Sequence, residues 1–323
     1  MMYGYMTSYN MASWNMMTSP PTGAPAESTT AVLFQANATL AEGPVWDGRT
    51  GCLYWVDIRR SRVSRFDPTV GRQTGVWITP ARPGCVGLTR DPGRLIVAAG
   101  AEVALLTLET GMWDVIATLP IDAPRYRAND GRIDSSGRFW VGTMVDDIHQ
   151  PAAFEGGELF RIDADGRVMR ALSGCELPNG IGWSPDDSRM YFNDTTTGKT
   201  WQFAYDVVTG DLSERSVLYD HRSGAGYPDG LSVDASGCVW SAQWDGWNIR
   251  RIAPDGRLVA EYPMPVRRPS SASFFGAALN RIVITSATVD FTSADFCESP
   301  DAGSLFAMPS PGVVGRPESL FDF

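Results

Sequence analysis

The sequence predicts an all-β protein, a six-bladed β-propeller. One short motif recurs along the chain. It begins with a polar or small side chain, continues with a short segment of alternating apolar residues that contains glycine, and ends in a tight turn. Its copies begin near residues 42, 85, 129, 179, 229 and 272, and self-similarity at a period of about 40–50 residues is typical of propellers. Short β-branched and aromatic runs end at Gly-containing turns, and no long stretch has the 3.6-residue period of an amphipathic helix.

The first thirty residues differ from the rest in composition. Residues 1–26 contain no charged side chain and are rich in Met, Ser, Thr, Tyr and Pro. They lack the basic start and continuous apolar core of a secretory signal. We therefore expect residues 1–30 to be a disordered N-terminal extension, with a Met- and Tyr-rich interaction arm as the alternative, and residues 31–323 to be the propeller.

Each repeat supplies two clear strand candidates after its motif. Aromatic and β-branched residues favour strands, and Asp-Gly and Thr-Gly pairs favour the turns between them. In chain order the candidates are 51–57 and 62–67, 94–99 and 103–108, 139–143 and 157–162, 190–193 and 200–205, 239–242 and 248–252, and 281–285 and 303–308. With the motif strand and an outer strand in each blade, this pattern indicates about four strands per blade.

Residues 31–34 form a strand candidate outside the six repeats, so we expect them to pair with the last blade and close the ring. Two inserts between strands are longer than the others, at 146–155 and 288–301. Loops of that length often carry specificity.

Composition excludes several classes of function. The 323 residues carry a net charge of −10, with a pI near 4.7, which argues against binding to nucleic acid or anionic membranes. Five scattered cysteines fit neither a disulfide framework nor a zinc motif, and they predict buried thiols in a reducing, cytoplasmic setting. The only histidines are His149 and His221, which disfavours a Ser-His-Asp triad or a multi-His metal site. Each is expected in a surface loop, with a substrate contact as the alternative.

Four repeats place an oxygen-bearing side chain at the first motif position, and the other two have Cys85 and Ala272 there. The four are Glu42, Asn129, Asn179 and Asp229. Equivalent positions of propeller blades surround one axis, so we expect these side chains to meet. Hard oxygen donors suit Ca²⁺, Mg²⁺ or Mn²⁺. The alternative is that each Asn or Asp before Gly only caps a turn.

Five motifs give the chain a resemblance to a known family. They are Leu-Ala-Glu-Gly-Pro-Val-Trp at 40–46, Arg-Tyr-Arg-Ala-Asn-Asp-Gly at 125–131, Gly-Thr-Met at 142–144, Pro-Asn-Gly at 178–180 and Pro-Asp-Gly at 228–230. In this order and spacing the chain resembles the SMP-30/gluconolactonase family of regucalcin-like sugar lactonases, over about residues 31–323. The resemblance implies a six-bladed propeller with one divalent metal ion on its axis.

The resemblance also implies roles for individual residues. Glu42, Asn179 and Asp229 are implied as metal ligands, with Asp229 also the base that deprotonates water. Arg127 and Asn129 are implied to bind substrate, although Arg127 could instead form a structural ion pair with Asp130 or Asp134. Asp147 stands where several relatives have Glu and is expected to reach a sugar hydroxyl. Calcium is the ion that this ligand type favours, with Zn²⁺, Mn²⁺, Mg²⁺ and Fe²⁺ as alternatives.

The expected function is metal-dependent hydrolysis of an aldonolactone, with a pentono- or hexono-lactone as the small-molecule partner. We expect a monomer or small homo-oligomer. A phosphotriesterase-like hydrolase and a non-catalytic calcium-binding propeller are the alternatives. A strictosidine-synthase-like condensation shares the architecture but not the Glu-Asn-Asp set.

Overall fold

The computed structural model describes residues 30–149 and 156–323, which form six antiparallel sheets arranged as blades. The six-bladed propeller predicted from the sequence is confirmed. The strands are β1 Ala31–Phe34, β2 Ala41–Asp47, β3 Cys52–Asp57, β4 Arg62–Asp67, β5 Arg72–Ile78, β6 Pro83–Thr89, β7 Arg94–Ala99, β8 Glu102–Thr107, β9 Trp113–Thr118, β10 Tyr126–Ile133, β11 Phe139–Val145, β12 Gly157–Ile162, β13 Val168–Cys175, β14 Pro178–Trp183, β15 Arg189–Asp194, β16 Lys199–Tyr205, β17 Leu212–Asp220, β18 Tyr227–Val233, β19 Val239–Trp244, β20 Asn248–Ile252, β21 Leu258–Pro263, β22 Pro269–Phe275, β23 Arg281–Ser286, β24 Leu305–Pro309 and β25 Leu320–Phe321.

The innermost strand of each blade is the one that carries the repeated motif. Strands β2, β6, β10, β14, β18 and β22 pack against one another in turn, and β22 returns to β2. Their first residues therefore lie together at one end of the axis, and their last residues lie at the other end. This arrangement gathers the motif residues in one place.

The ring closes through β1, as the sequence predicts. β1 pairs antiparallel with β24 and becomes the outer strand of blade six. The ring of Phe34 also lies 5.1 Å from Phe66 and 6.1 Å from Trp55, both in blade one. Strand β1 thus contacts both the first and the last blade. The predicted N-terminal extension lies outside the described residues, except for residue 30.

The C-terminal segment 316–323 covers the far end of the axis, a feature that the sequence analysis missed. β25 pairs in parallel with the last residues of β6. Glu318 accepts hydrogen bonds from Arg132 of β10 at 3.3 Å and from Ser273 of β22 at 3.1 Å. Arg316 donates to the backbone carbonyl of Trp183 at the end of β14. The segment therefore touches four inner strands at the end opposite their first residues.

The core lies between adjacent blades and repeats a tryptophan contact. Trp140 and Trp240 are fully buried in the second strands of blades three and five. Each indole nitrogen donates to the aspartate that begins the preceding turn, Asp134 at 2.8 Å and Asp234 at 3.0 Å. The same carboxylates accept backbone N–H groups within their turns. This arrangement satisfies buried polar groups and fixes the turn geometry.

Regular helix is confined to short pieces. One α-helix, α1 (Ser293–Glu298), lies in the predicted 288–301 insert, and its N-terminus has a capping box between Thr292 and Asp295. A 3-10 turn covers Ile58–Arg60 and another covers His221–Ser223. Among the described residues, no helix is long and apolar enough to cross a membrane.

The five cysteines are free thiols, and four are buried as predicted. Cys297 departs from that prediction because it lies on the exposed helix α1.

The structure shifts two of the predicted motif positions. Pro83, Pro178, Pro228 and Pro269 occupy the same place before the irregularity of their inner strands. The residue after each proline is therefore the first motif position. In blades two and six it is Gly84 and Ser270, not Cys85 and Ala272 as the sequence analysis had it. A side chain at residue 84 would clash with the backbone of residues 128 and 129, which explains the glycine.

Candidate active site

Each predicted oxygen donor lies at a β-bulge of its inner strand. The pairing register shifts within β2, β10, β14 and β18 immediately at or after the donor residue. A bulge interrupts the ladder and redirects side chains. Glu42, Asn129, Asn179 and Asp229 consequently line one cavity at the end of the axis where the inner strands begin. The predicted meeting of these four side chains is confirmed, and all four are buried.

The two asparagines are held by a continuous set of hydrogen bonds. Asn129 Nδ2 donates to Asn179 Oδ1 at 2.8 Å and to the carbonyl of Pro178 at 2.9 Å. Asn179 Nδ2 donates to Thr195 Oγ1 at 2.8 Å, and that hydroxyl donates to the carbonyl of Pro228 at 2.7 Å. These bonds fix which end of each amide is oxygen. The oxygen of Asn179 is therefore oriented toward Asn129, with Thr195 on its other side.

Glu42 and Asp229 form a buried acidic pair in mutual contact. Burial raises the pKa of Glu42 well above its usual range, and the charges of Asp229 and Asp130 raise it further. Burial also raises the pKa of Asp229, and the charge of Asp130 adds to the effect. Asp130 lies behind the pair, and burial raises its pKa to about 6. Two buried carboxylates cannot both ionise without cost unless a cation compensates them.

The donor set fits a divalent cation with hard oxygen ligands. The carboxylates of Glu42 and Asp229 supply two negative charges, and the amide oxygen of Asn179 supplies a neutral donor. Within residues 30–149 and 156–323 no three His, Cys, Asp or Glu side chains cluster as a metal site. Two carboxylates with an amide oxygen are a donor set that suits Ca²⁺, Mg²⁺ or Mn²⁺ better than Zn²⁺.

Arg127 lies beside this set with its guanidinium buried. Its Nη1 donates to Asn129 Oδ1 at 2.9 Å and to the carbonyl of Ala128 at 2.8 Å. Its Nε lies 3.0 Å from Asp146 Oδ1. The ion pair with Asp130 or Asp134 considered above is wrong, because Asp134 pairs with Arg138 instead.

Asp147 and His149 lie on the loop at the rim of the cavity. The carboxylate of Asp147 accepts the backbone N–H of His149 at 3.0 Å, so it caps the loop turn, and Asp147 is not among the cavity-lining residues. The role of Asp147 in binding a hydroxyl stays a prediction. His149 lines the cavity and lies 3.5 Å from Asp290, with more than half of its side chain exposed.

The cavity has a volume of about 340 Å³ and opens at the end of the axis where the inner strands begin. Its walls combine apolar and charged side chains. They are Leu40, Glu42, Ile58, Arg59, Arg127, Asn129, Met144, Ile148, His149, Leu177, Asn179, Thr195, Thr196, Asp229, Trp244, Arg268, Val289 and Asp290. Trp244 lies in this wall, with the Arg268 guanidinium 4.9 Å from its ring.

His221 is not the surface residue that the sequence predicted. It is completely buried and lies outside the cavity lining. Thr200 Oγ1 donates to Asn193 Oδ1 at 2.6 Å and lies 2.8 Å from His221 Nε2. His221 Nδ1 lies 3.1 Å from Gln243 Oε1 and 3.2 Å from Arg250 Nη1. Burial, with the charge of Arg250, lowers the pKa of His221 to about 3.

Sequence reasoning missed the cavity residues that do not belong to the repeated motif. In each antiparallel blade the second strand ends beside the start of the first. Residues just after second strands therefore line the same cavity: Arg59 lies two positions after the end of β3, and Thr195 directly follows β15. This rule would have found them from the predicted strands.

Comparison with known proteins points to one family. A profile described as the SMP-30/gluconolactonase/LRE-like region matches residues 40–288. The chain is 35% identical over 285 residues to a 6-deoxy-6-sulfogluconolactonase of Pseudomonas putida, covering 88% of this chain and 95% of that protein. It is 33% identical over 294 residues to a pentonolactonase of Haloferax volcanii, covering 90% and 97%.

Among solved structures, a calcium-binding regucalcin from Agrobacterium tumefaciens superposes with a TM-score of 0.85 at 28% identity. The match covers 92% of this chain and 98% of that protein. The lactonase names of the relatives support a lactone hydrolase.

Proposed function

The chain belongs to the SMP-30/gluconolactonase/LRE-like family, and we propose that it is a divalent-metal-dependent hydrolase that opens a sugar lactone to its aldonic acid. One observation carries the proposal. The buried acidic pair Glu42 and Asp229 lies beside the linked amides of Asn129 and Asn179, at the base of a cavity of about 340 Å³. The related lactonases support the reaction class.

Glu42, Asn179 and Asp229 would hold the cation, and Ca²⁺ is the ion that these ligands favour. When bound, such an ion acts as a Lewis acid toward a carbonyl oxygen. Asp229 is the carboxylate that accepts a proton from the attacking water. In the metal-free protein, burial and the charge of Asp130 raise its pKa above the usual range of an aspartate. Arg127 and Asn129 orient the substrate hydroxyls or ring oxygen, and Asp147 is proposed to reach a further hydroxyl from the rim.

The cavity walls hold the ring of the substrate. Leu40, Ile58, Leu177 and Met144 supply apolar surface, and Trp244 offers a partly exposed indole face. A sugar ring has apolar C–H faces that stack on such surfaces, while its hydroxyls require the polar groups at the base. The mixture of apolar and polar groups supports a hydroxylated ring, such as that of a pentono- or hexono-lactone.

A proton-release assay tests the proposal. Metal-stripped protein receives Ca²⁺, Mg²⁺, Mn²⁺, Zn²⁺ or Fe²⁺ separately, with a panel of pentono- and hexono-lactones, beside Asp229→Ala and Asn179→Ala. We expect turnover that depends on metal and is lost in both variants. Metal binding without turnover of any lactone would favour a calcium-binding propeller, for which the regucalcin neighbour is the supporting observation. Turnover of a phosphotriester but of no lactone would favour the phosphotriesterase-like hydrolase.

We also propose a cytoplasmic location. Five thiols are free, and one of them is exposed on helix α1. An exposed thiol persists most readily in a reducing compartment.

A further inference from the structure

One side of the cavity carries more positive than negative charge. Arg82 and Arg127 share a single carboxylate, that of Asp146. Arg82 Nη1 lies 2.7 and 2.8 Å from its two oxygens, and Arg127 Nε lies 3.0 Å from Oδ1. One of these two guanidinium charges is therefore left without a counter-ion. Arg127 is buried, so water does not compensate it.

Arg59 adds a third charge to the same side. It lies on the Ile58–Arg60 turn and lines the cavity next to Ile58. Among the described residues, no carboxylate lies within ion-pair distance of Arg59. The charge of Arg59 is close enough to Arg127 to help lower its pKa, which burial and the neighbouring arginines bring to about 10 despite Asp146. We call Arg59, Arg82 and Arg127 the arginine cluster.

The other guanidinium in the cavity lining shows that pairing is the rule elsewhere. Arg268 lies 2.7 Å from Asp245 Oδ1 and is compensated. Arg82 and Arg127 form their ion pairs with Asp146, and among the described residues no ion pair joins the arginine cluster to Glu42 or Asp229, the carboxylates proposed to hold the cation. The arginine cluster thus holds three positive charges around one carboxylate, and two of its members, Arg59 and Arg127, line the cavity beside the apolar side chains of Leu40 and Ile58. In such surroundings, unpaired charges cost stability in the empty protein and bind a counter-ion strongly.

Neutral hydroxyls do not require this arrangement, since uncharged donors and acceptors serve them equally well. We propose that the arginine cluster binds an anionic substituent of the substrate, and that the substrate class is a lactone carrying a carboxylate, sulfonate or phosphate away from its ester carbonyl. The inference rests on the proposed lactonase function for its substrate. Arg59 is the specificity-determining residue, because no residue that the structure describes uses the donors of its guanidinium fork, which suits a planar or tetrahedral oxyanion.

The same turn provides a matched control. Arg60 follows Arg59 but points away from the cavity: its Nε lies 3.7 Å from Asp57 and donates to Thr39 Oγ1 at 3.2 Å. Arg59→Met and Arg60→Met therefore remove the same charge from the same turn, and only the first removes it from the cavity. Arg59→Lys keeps the charge and loses the fork.

The test measures binding and turnover separately. Calorimetric titration of the metal-loaded protein compares D-gluconate, D-glucarate and 6-phosphogluconate, which differ by a second anionic group and its type. We expect the two acids that carry a second anionic group to bind about tenfold or more tightly than gluconate, a difference of roughly 1.4 kcal/mol. Arg59→Met should abolish that preference, Arg59→Lys should retain part of it, and Arg60→Met should keep it. The tighter of the two acids shows which of them the site prefers.

The kinetic arm compares kcat/KM for D-glucaro-1,4-lactone and D-gulono-1,4-lactone. The ratio of the charged to the neutral lactone should fall about tenfold in Arg59→Met and stay at the wild-type value in Arg60→Met. Equal binding of all three acids by the wild-type protein, or equal effects of the two methionine variants, would overturn the proposal. Hydrolysis of a neutral lactone with no role for Arg59 would leave the lactonase standing and reject the anion subsite. Arg59-dependent binding of the acids with a second anionic group, without turnover of any lactone, would support the anion subsite and reject the lactonase.

Discussion

Asn193 Nδ2 donates a 2.6 Å hydrogen bond to the backbone carbonyl of Asp229. Asn193 is completely buried in blade four, and Asp229 lies in the bulge of the neighbouring inner strand. Thr200 and His221 fix the amide of Asn193 from its other side. The carboxylate proposed as ligand and base is therefore positioned through its backbone by a buried chain of side chains that does not reach the cavity.

Asn193→Ala tests this support. It leaves the Asp229 carbonyl without its partner, so we expect a loss of about 1–3 kcal/mol in the free energy of unfolding. Groups that orient metal ligands typically contribute about 10–100-fold to affinity or activity, and we expect kcat to fall by that amount. Lactone turnover and urea unfolding of the same sample measure both effects.

Ser241→Ala is the control, because Ser241 is the second acceptor of Asn193 Nδ2, at 3.0 Å, and its loss keeps the bond to Asp229. A wild-type kcat in Asn193→Ala would show that Asp229 needs no such support.

The two histidines give a matched pair for stability against pH. The folded-state pKa of His221 is lowered to about 3, below its ordinary value of 6.5. Between these values the unfolded chain binds one more proton than the folded protein, so stability falls as pH decreases from about 6.5. The slope from this group approaches about 1.4 kcal/mol per pH unit. Urea unfolding at pH 7.5, 6.0 and 5.0 should show that slope diminished in His221→Gln.

His149→Gln serves as the comparison, since His149 is mostly exposed. It should retain the wild-type dependence of stability on pH. An equal decrease of the pH dependence of stability in both glutamine variants would show that His221 is not its source.

Replacing one carboxylate of the acidic pair should have opposite effects with and without metal. Glu42→Gln removes a buried like charge beside Asp229, so the metal-free variant should melt at or above the metal-free wild type. It also removes a ligand. Wild-type protein at a metal concentration of about 100 times Kd gains about 2.7 kcal/mol, and the variant should lose most of this gain.

Melting temperatures in a chelator and in millimolar Ca²⁺ measure the two effects. Asp146→Asn is the control, because Asp146 neutralises arginines and is not a proposed ligand. An unchanged Ca²⁺-dependent shift in Glu42→Gln would exclude Glu42 as a ligand.

Deletion of residues 1–36 should destabilise the ring. It removes β1, unpairs the edge of β24, and takes Leu33 and Phe34 from the cluster that contains Trp55 and Phe66. Half-burial of these two side chains contributes roughly 2 kcal/mol or more to the free energy of unfolding. Deletion of residues 1–29 keeps β1 and serves as the comparison, so we expect a smaller fall in melting temperature than for the longer deletion. Equal melting of both truncated forms would mean that β1 does not hold the ring closed.

The sequence specified the fold and the centre of the site because both depend on repetition. Glu42, Asn129, Asn179 and Asp229 occupy repeated positions, and a ring makes repeated positions neighbours. Cys85 and Ala272 were misplaced because the turns after the inner strands differ in length: five residues separate the paired Ile133 and Phe139, but six separate Leu88 and Leu95. A fixed count back from the turn does not detect this difference. β25 was missed since two residues in parallel pairing leave no hairpin signal.

The buried environment of His221 was also not predictable. It depends on Thr200, Gln243 and Arg250, which come from different strands and share no motif. Pairings between arginines and carboxylates across loops are equally invisible in a linear pattern. The ion pair of Arg127 with Asp146, and the absence of one at Arg59, required the structure.

The C-terminal segment has a consequence for the traffic of small molecules. With residues 316–323 covering one end of the axis, the cavity is a blind pocket and not a tunnel. Under the proposed function, a lactone and the acid formed from it would share the opening at the other end of the axis. The acid would leave through the opening by which the next lactone enters, so accumulated acid would compete with lactone there.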